Sequence, residues 1–100
     1  MISIPINNYI HYSPLRGYIE VTGKSIPIPL TQKEISLLNL LLQNKNQTVP
    51  RETIEQLISP DKTLSDSAYK SLVFRLRKKI GKETLSSLSG VGIKLNLQKQ

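Results

Sequence analysis

The side chains best suited to chemistry in this chain are the cations between residues 62 and 82. Seven lysines and arginines and one carboxylate lie in this segment, so it carries +6 of the formal net charge of +7. Its centre, "AYKSLVFRLRKKIG" (68–81), interleaves the cations with apolar residues. A concentrated cationic segment attracts polyanions, either nucleic acid or an acidic membrane surface. A solvated face that is basic only for solubility is the plain alternative.

Placed on a helix at about 100° per residue, this segment separates into two faces. The inward stripe is apolar: Tyr69, Leu72, Val73, Leu76 and Ile80. The outward face and its flanks are polar, cationic or aromatic: Ser67, Lys70, Ser71, Phe74, Arg75, Arg77, Lys78 and Lys79. The major groove of B-DNA is about 12 Å wide and admits one helix with polar residues at its centre and cations at its rims. The pattern therefore favours a helix over about 66–80 that enters the major groove.

Two other interpretations compete for the same helix. A membrane-surface helix needs a free apolar face, whereas here the neighbouring elements need that face for their core. A solvated helix usually mixes acids with its bases, and residues 67–82 contain no acid. Phe74 remains open between three roles: a base contact, an anchor for a protein partner, or a structural residue beneath the C-terminal hairpin.

Little in the sequence supports catalysis. His11 is the only histidine, the chain has no cysteine, and a metal site needs at least three ligands. Glu52 and Glu55 are typical acids of a helix start, and "GVG" (90–92) lies in a predicted hairpin rather than before a helix. We therefore predict that the chain is not an enzyme and that it uses no cofactor and no metal.

The bulk properties indicate one small domain. The chain has 100 residues, of which 38% are hydrophobic, which is enough for one modest core. No apolar run reaches the roughly 18 residues of a membrane span, and "MISIPINNYI" lacks the charged start of a signal peptide. We expect a soluble, cytoplasmic chain, and the same data fit one domain of a longer protein.

The predicted elements give an α+β fold. Residues 1–30 form short antiparallel strands, of which the fourth, with Pro27 and Pro29, should be an edge strand or poorly paired. Residues 31–81 form a three-helix core: "TQKE" is a capping box for the first helix, 51–58 form the second, and Ser65 or Asp66 caps the third. A short strand at 48–50 precedes the second helix, and 84–98 form a hairpin.

This order of elements resembles the winged helix-turn-helix output domain of the OmpR/PhoB family, including ToxR-like regulators. Four segments carry the resemblance in the matching order: "LTQKEISLLNLL", "VPRETI", "FRLRKKI" and "SSLSGVGIKL". The resemblance implies a fold with an N-terminal antiparallel sheet, three helices and a C-terminal β-hairpin wing, and it covers essentially the whole chain.

The resemblance also implies roles for single residues. Lys70, Ser71, Phe74 and Arg75 fall at base-reading places. Leu72, Arg77 and Lys78 fall where the backbone is contacted or the helix is anchored. In the wing, Ser87 would donate to a phosphate, and Lys94 is the only cation near Ser89, which replaces an arginine of some members. Ile93 replaces an aromatic residue, and Pro50 leaves the second helix without a side-chain cap.

We therefore expect sequence-specific binding to double-stranded promoter DNA by a bacterial transcription regulator. The alternative is a protein-interaction module that contacts RNA polymerase or another regulator. Family members contact RNA polymerase through the loop that here contains Pro60, Asp61, Lys62 and Thr63. The resemblance further suggests a dimer on tandem half-sites, and a receiver domain or a membrane segment in the full-length protein.

Overall fold

The N-terminal part of the chain is a four-stranded antiparallel sheet. In the computed structural model, which describes residues 3–61, 64–88 and 90–97, the strands are β1 (Ile4–Pro5), β2 (Ile10–Ser13), β3 (Tyr18–Val21) and β4 (Ile28–Pro29). Their spatial order is β1-β2-β3-β4. β4, the proline-containing fourth run, lies at an edge of the sheet, which confirms the predicted position. An edge strand tolerates proline because it needs fewer backbone donors.

Three helices follow: α1 (Gln32–Gln43), α2 (Arg51–Ile58) and α3 (Asp66–Ile80). The predicted capping box is present, since the Thr31 side chain accepts from the Glu34 amide and the Glu34 side chain accepts from the Thr31 amide. Ser65, rather than Asp66, caps α3 through the Ala68 amide at 3.1 Å. Pro50 gives α2 no side-chain cap, as predicted.

The C-terminal hairpin pairs with a third strand. β6 (Leu85–Leu88) and β7 (Gly92–Leu95) form the wing, and β5 (Thr48–Pro50) pairs with β7, which gives the order β5-β7-β6. Because β5 runs directly into α2, this pairing fixes the wing to the start of the second helix. The sequence predicts the short strand at 48–50 but not its pairing with β7.

One core joins both sheets to the helices. Its fully buried side chains come from every layer and include Tyr12, Ile19, Leu37, Leu38, Leu41, Ile54, Leu76, Leu85 and Ile93. Leu57 of α2 is 49% exposed, because this short helix meets the core along a narrow strip at Ile54. Among the described residues, no helix has the length and apolar character that crossing a bilayer would require.

We predict that Gly92→Ala destabilises the fold, because β7 approaches β5 closely at this position. An added Cβ would lie 2.0 Å from the Val49 carbonyl oxygen and 3.0 Å from the Pro50 Cα. Both neighbours are backbone atoms that cannot rotate away, so we expect a loss of about 3 kcal/mol in the free energy of unfolding. Urea denaturation measures this loss.

The matched control is Gly90→Asn in the wing turn. A Cβ at Gly90 meets nothing within 4 Å, and its φ of +75° is a conformation that asparagine tolerates. We expect a change of less than about 1 kcal/mol. Equal stabilities for the two variants would contradict the close approach of β5 and β7.

Candidate nucleic-acid interface

The outward face of α3 is exposed along its length. Ser67, Lys70, Ser71, Phe74, Arg75 and Lys78 are all exposed. Phe74 retains 65% of its accessible surface, so it does not lie beneath the wing. An exposed phenylalanine among cations offers an apolar contact within a positively charged surface.

The inward stripe of the same helix is fully engaged in the core. Tyr69, Leu72, Val73, Leu76 and Ile80 are at most 7% exposed. This apolar face is unavailable to a membrane, and the burial of Leu72 leaves it an anchoring role. The core therefore fixes which face of α3 points outward.

The C-terminal end of α3 is held by the N-terminal sheet. The Asn7 amide donates to the Ile80 carbonyl at 3.0 Å and reaches the Thr84 hydroxyl at 2.9 Å. A last-turn carbonyl has no partner within its own helix, so Asn7 satisfies one such group. This contact joins the β1–β2 turn to the end of the helix.

A buried carboxylate holds the same end from another side. Lys79 Nζ lies 2.7 Å from Glu34 Oε1 and 3.1 Å from the Pro29 carbonyl oxygen. Glu34 is completely buried, and its Oε1 also accepts the Thr31 amide at 2.9 Å. The sequence placed Lys79 at the groove rim. The structure corrects this, because the ammonium group of Lys79 is paired with the buried Glu34 carboxylate.

The pKa of Glu34 reflects these contacts. Burial alone would raise the pKa, but the hydrogen bond from Lys79 and the one from the Thr31 backbone outweigh burial and hold it below the usual 4.5. Glu34 is therefore ionised in the folded protein at neutral pH, and the ionised carboxylate is the form that binds Lys79.

The N-terminal end of α3 is tied to α2 by a charged network. Arg51 Nη1 lies 2.7 Å from Asp66 Oδ1, and Arg51 Nε lies 2.6 Å from Glu55 Oε1. The guanidinium carbon lies 4.3 Å from the centre of the Tyr69 ring, within cation–π range. Lys70 Nζ lies 3.1 Å from the second carboxylate oxygen of Asp66. Sequence reasoning missed this network, although Arg51 and Glu55 are spaced as an i,i+4 pair.

Arg77 and Lys94 are less accessible than the other predicted contacts. Arg77 is partly buried, and its Nε has no acceptor among the described residues. Lys94 is half-buried on β7 opposite Ser86, whereas the exposed Ser87 is opposite Ile93. Because strand side chains alternate between faces, Ser87 and Lys94 lie on opposite faces of the wing sheet. Ser89 lies outside the described residues.

A cleft of about 970 Å³ extends the cationic surface towards the N-terminal sheet. Lys24 from the β3–β4 turn and Lys82 after α3 line it beside Lys78, and both are exposed. Sequence reasoning did not assign either residue to the site, because only the fold brings the β3–β4 turn close to the end of α3.

The predicted partner loop is described in part. Pro60 and Asp61 are exposed, and the Ser59 hydroxyl donates to Asp61 at 3.0 Å. Lys62 and Thr63 lie outside the described residues. Within 3–61, 64–88 and 90–97, no group of three or more histidine or acidic side chains could hold a metal ion.

The fold and the exposed helix define a winged helix-turn-helix protein, with α2 and α3 as the helical pair and β6–β7 as the wing. Residues 23–95 match the model of the family described as "Transcriptional regulatory protein, C terminal". The chain therefore belongs to this family, which confirms the OmpR/PhoB-type resemblance and the prediction that the chain is not an enzyme.

Several individual proteins are similar to this chain. The transcriptional regulatory protein QseB of Haemophilus influenzae is 37% identical over 70 residues, which cover 69% of this chain and 32% of QseB. The probable transcriptional regulatory protein y4xI of Sinorhizobium fredii is 27% identical over 103 residues, 96% of this chain and 45% of that protein. The chain thus spans about a third to a half of the length of these relatives.

Solved structures share the whole fold. The DNA-binding domain of CpxR from E. coli has a TM-score of 0.75 and 25% identity, with 99% of this chain and all of that chain covered. The DNA-binding domain of Klebsiella pneumoniae RstA, in complex with the RstA box, has a TM-score of 0.72 and 14% identity over 96% of this chain and 98% of that one.

We predict that Glu34→Gln lowers the free energy of unfolding at pH 7 by roughly 2 kcal/mol, because it replaces the charged partner of Lys79 with a neutral amide. A carboxylate whose pKa is depressed in the folded state contributes stability above its unfolded pKa and loses it as pH falls through the folded value. The difference between the wild type and Glu34→Gln should therefore be constant from pH 7 to about 5 and shrink below about pH 4. Urea denaturation between pH 3 and pH 7 tests both statements.

Lys79→Met is the complementary control. It leaves a buried carboxylate without its cation, so this variant should lose stability at pH 7 and recover part of it on acidification, when the carboxyl becomes neutral. If Glu34→Gln is as stable as the wild type at pH 7, the ion pair does not stabilise the end of α3.

Proposed function

We propose that this chain is a double-stranded-DNA-binding domain of a bacterial transcription regulator that inserts α3 into the major groove. One observation carries the proposal. The apolar stripe of α3 is buried in the core, while the opposite face exposes cations and Phe74 to solvent. Membership of a family of transcriptional regulator domains supports it.

The exposed face divides into two kinds of contact. Lys70, Ser71, Phe74 and Arg75 occupy the middle of the outward face, where side chains reach base edges. Arginine donates two hydrogen bonds to guanine O6 and N7, and an apolar side chain can contact the thymine methyl group. These residues are proposed to select the sequence, with Ser67 beside them at the start of the helix.

The remaining cations are proposed to contact phosphates. Lys78 lies one turn beyond Phe74 and is exposed, and the partly buried Arg77 flanks it. Ser87 is exposed and would donate its hydroxyl from the wing, and Lys94 would add attraction from the other face of the wing sheet. Lys79 is left out of this surface because Glu34 binds it. Phosphate contacts fix the register of the protein on DNA and carry no sequence information.

The fold also suits DNA in proteins of similar structure. RstA is described in complex with the RstA box, and AdeR, with a TM-score of 0.69 and 19% identity, in complex with an intercistronic region. A pure protein-interaction module is not favoured, since the family described for this chain is that of regulator domains.

Further partners belong to the whole regulator. We propose that the chain is the output part of a longer protein, that two copies occupy tandem half-sites, and that the loop with Pro60, Asp61, Lys62 and Thr63 contacts RNA polymerase. The length of the curated relatives supports the first proposal. A footprint of one half-site at saturation would exclude the second, and unchanged transcription by Asp61→Ala would exclude the third.

We predict that Arg75→Ala reduces sequence selectivity, whereas Lys78→Ala reduces affinity for every duplex. A base-reading arginine supplies about 1–3 kcal/mol of discrimination, so Arg75→Ala should lower affinity for a duplex selected from a random pool and leave affinity for scrambled duplex nearly unchanged. Loss of a phosphate contact should weaken both duplexes alike. Fluorescence anisotropy with both duplexes measures the two ratios. Equal losses of selectivity in the two variants would contradict the assignment.

We predict a moderate salt dependence for wild-type binding. With phosphate contacts from Arg77, Lys78, Ser87 and Lys94, about three cations release counterions, so log affinity should fall against log salt with a slope of about −3. Titrations between 50 and 200 mM salt give this slope. A slope near zero would exclude an electrostatic interface, and no duplex binding at low salt would exclude the proposed function.

A further inference from the structure

We infer that Asp66 restrains Lys70 in the free protein, so that Lys70 contacts DNA selectively rather than wherever a phosphate is near. The inference rests on the proposed function, because it assigns a specificity-determining role to a residue beside the proposed base-reading face. Asp66 itself is not among the residues expected to contact DNA.

The geometry shows a carboxylate shared between two cations. One oxygen of Asp66 lies 2.7 Å from Arg51 Nη1, and the other lies 3.1 Å from Lys70 Nζ. The Lys70 side chain is 72% exposed and that of Asp66 58% exposed, so both are accessible to a DNA ligand.

Arg51 prevents Asp66 from turning away with Lys70. Its guanidinium binds Glu55 and Asp66 at the same time and packs over the Tyr69 ring. Side-chain hydrogen bonds to Arg51 and then to Lys70 also lower the pKa of Asp66. The carboxylate therefore remains charged and fixed at the first turn of α3.

The charge balance differs between the two halves of the helix. Arg51, Glu55, Asp66 and Lys70 together carry no net charge, so Lys70 adds no excess positive potential in the free protein. Arg75 and Lys78 have no carboxylate within ion-pair distance among the residues that the structure describes. Lys78, the proposed phosphate contact, therefore supplies general attraction to DNA that the paired Lys70 does not.

This arrangement sets a condition on the contact of Lys70. When Lys70 leaves Asp66 to bind a phosphate, it replaces one anionic partner with another. The phosphate then lies close to the Asp66 carboxylate, and the two anions repel each other. A guanine edge offers two acceptors without a full negative charge, so it compensates for the lost pair with less repulsion. Asp66 thus favours base contact over phosphate contact by Lys70.

The test compares Asp66→Asn with the wild type on selected and on scrambled duplex. Neutral asparagine releases Lys70, so the slope on scrambled duplex should become more negative by about 0.9, the value of one additional phosphate contact. The ratio of selected to scrambled affinity should fall about threefold, the scale of one exposed ion pair. The double variant Asp66→Asn with Lys70→Met should return the salt slope on scrambled duplex to the wild-type value.

Glu55→Gln is the matched control, because Glu55 shares Arg51 with Asp66 and does not contact Lys70. It should leave both the slope and the affinity ratio unchanged. Asp66→Ser is a second neutral variant that suits a helix start, and circular dichroism checks that each variant is folded.

A merely structural Asp66 would give a different result. If the neutral variants weaken both duplexes equally and leave the slope unchanged, Asp66 only stabilises the start of α3 and the inference is overturned while the proposed function stands. If the wild type binds no duplex at low salt, the proposed function and the inference fail together.

Discussion

The position of α3 depends on one buried carboxylate. Glu34 lies at the first turn of α1, has no exposed surface, and its Oε1 accepts from the Thr31 amide and from Lys79. Lys79 also donates to the Pro29 carbonyl, so one cation links the start of α1, the edge strand β4 and the last turn of α3. A buried charge without its partner is strongly unfavourable, so positions of α3 that separate Lys79 from Glu34 are disfavoured. The outward face of α3 is defined by this anchor together with the apolar stripe.

The two ends of α3 then differ in electrostatic character. At the N-terminal end, Arg51 and Asp66 tie the helix to α2 in a network without net charge. Towards the C-terminal end, Arg75 and Lys78 are exposed and unpaired within the described ranges, and Lys82 follows. Lys78 and Lys82 can therefore supply general attraction, while base selection is proposed for residues 70–75. Such a division lets affinity and specificity be adjusted separately.

Local patterns were sufficient to predict most of the fold and which face of α3 is exposed. The capping box at Thr31, the two-faced period of residues 66–80 and the glycine turn near Gly90 depend on neighbours in sequence. The pairing of Lys79 with Glu34 joins residues 45 positions apart, and no periodicity reports such a contact. For the same reason the sequence placed Lys79 on the rim, left β5 unpaired, and missed the approach of Lys24 to the end of α3.

Methylation interference on a selected duplex tests most directly whether α3 reads the major groove. Dimethyl sulfate modifies guanine N7 in the major groove and adenine N3 in the minor groove, so one experiment probes both surfaces. The account predicts that methylated guanines at a few adjacent positions block binding, and that methylated adenines interfere weakly because the wing carries few cations. Interference confined to adenine N3 would place the protein in the minor groove and contradict the account.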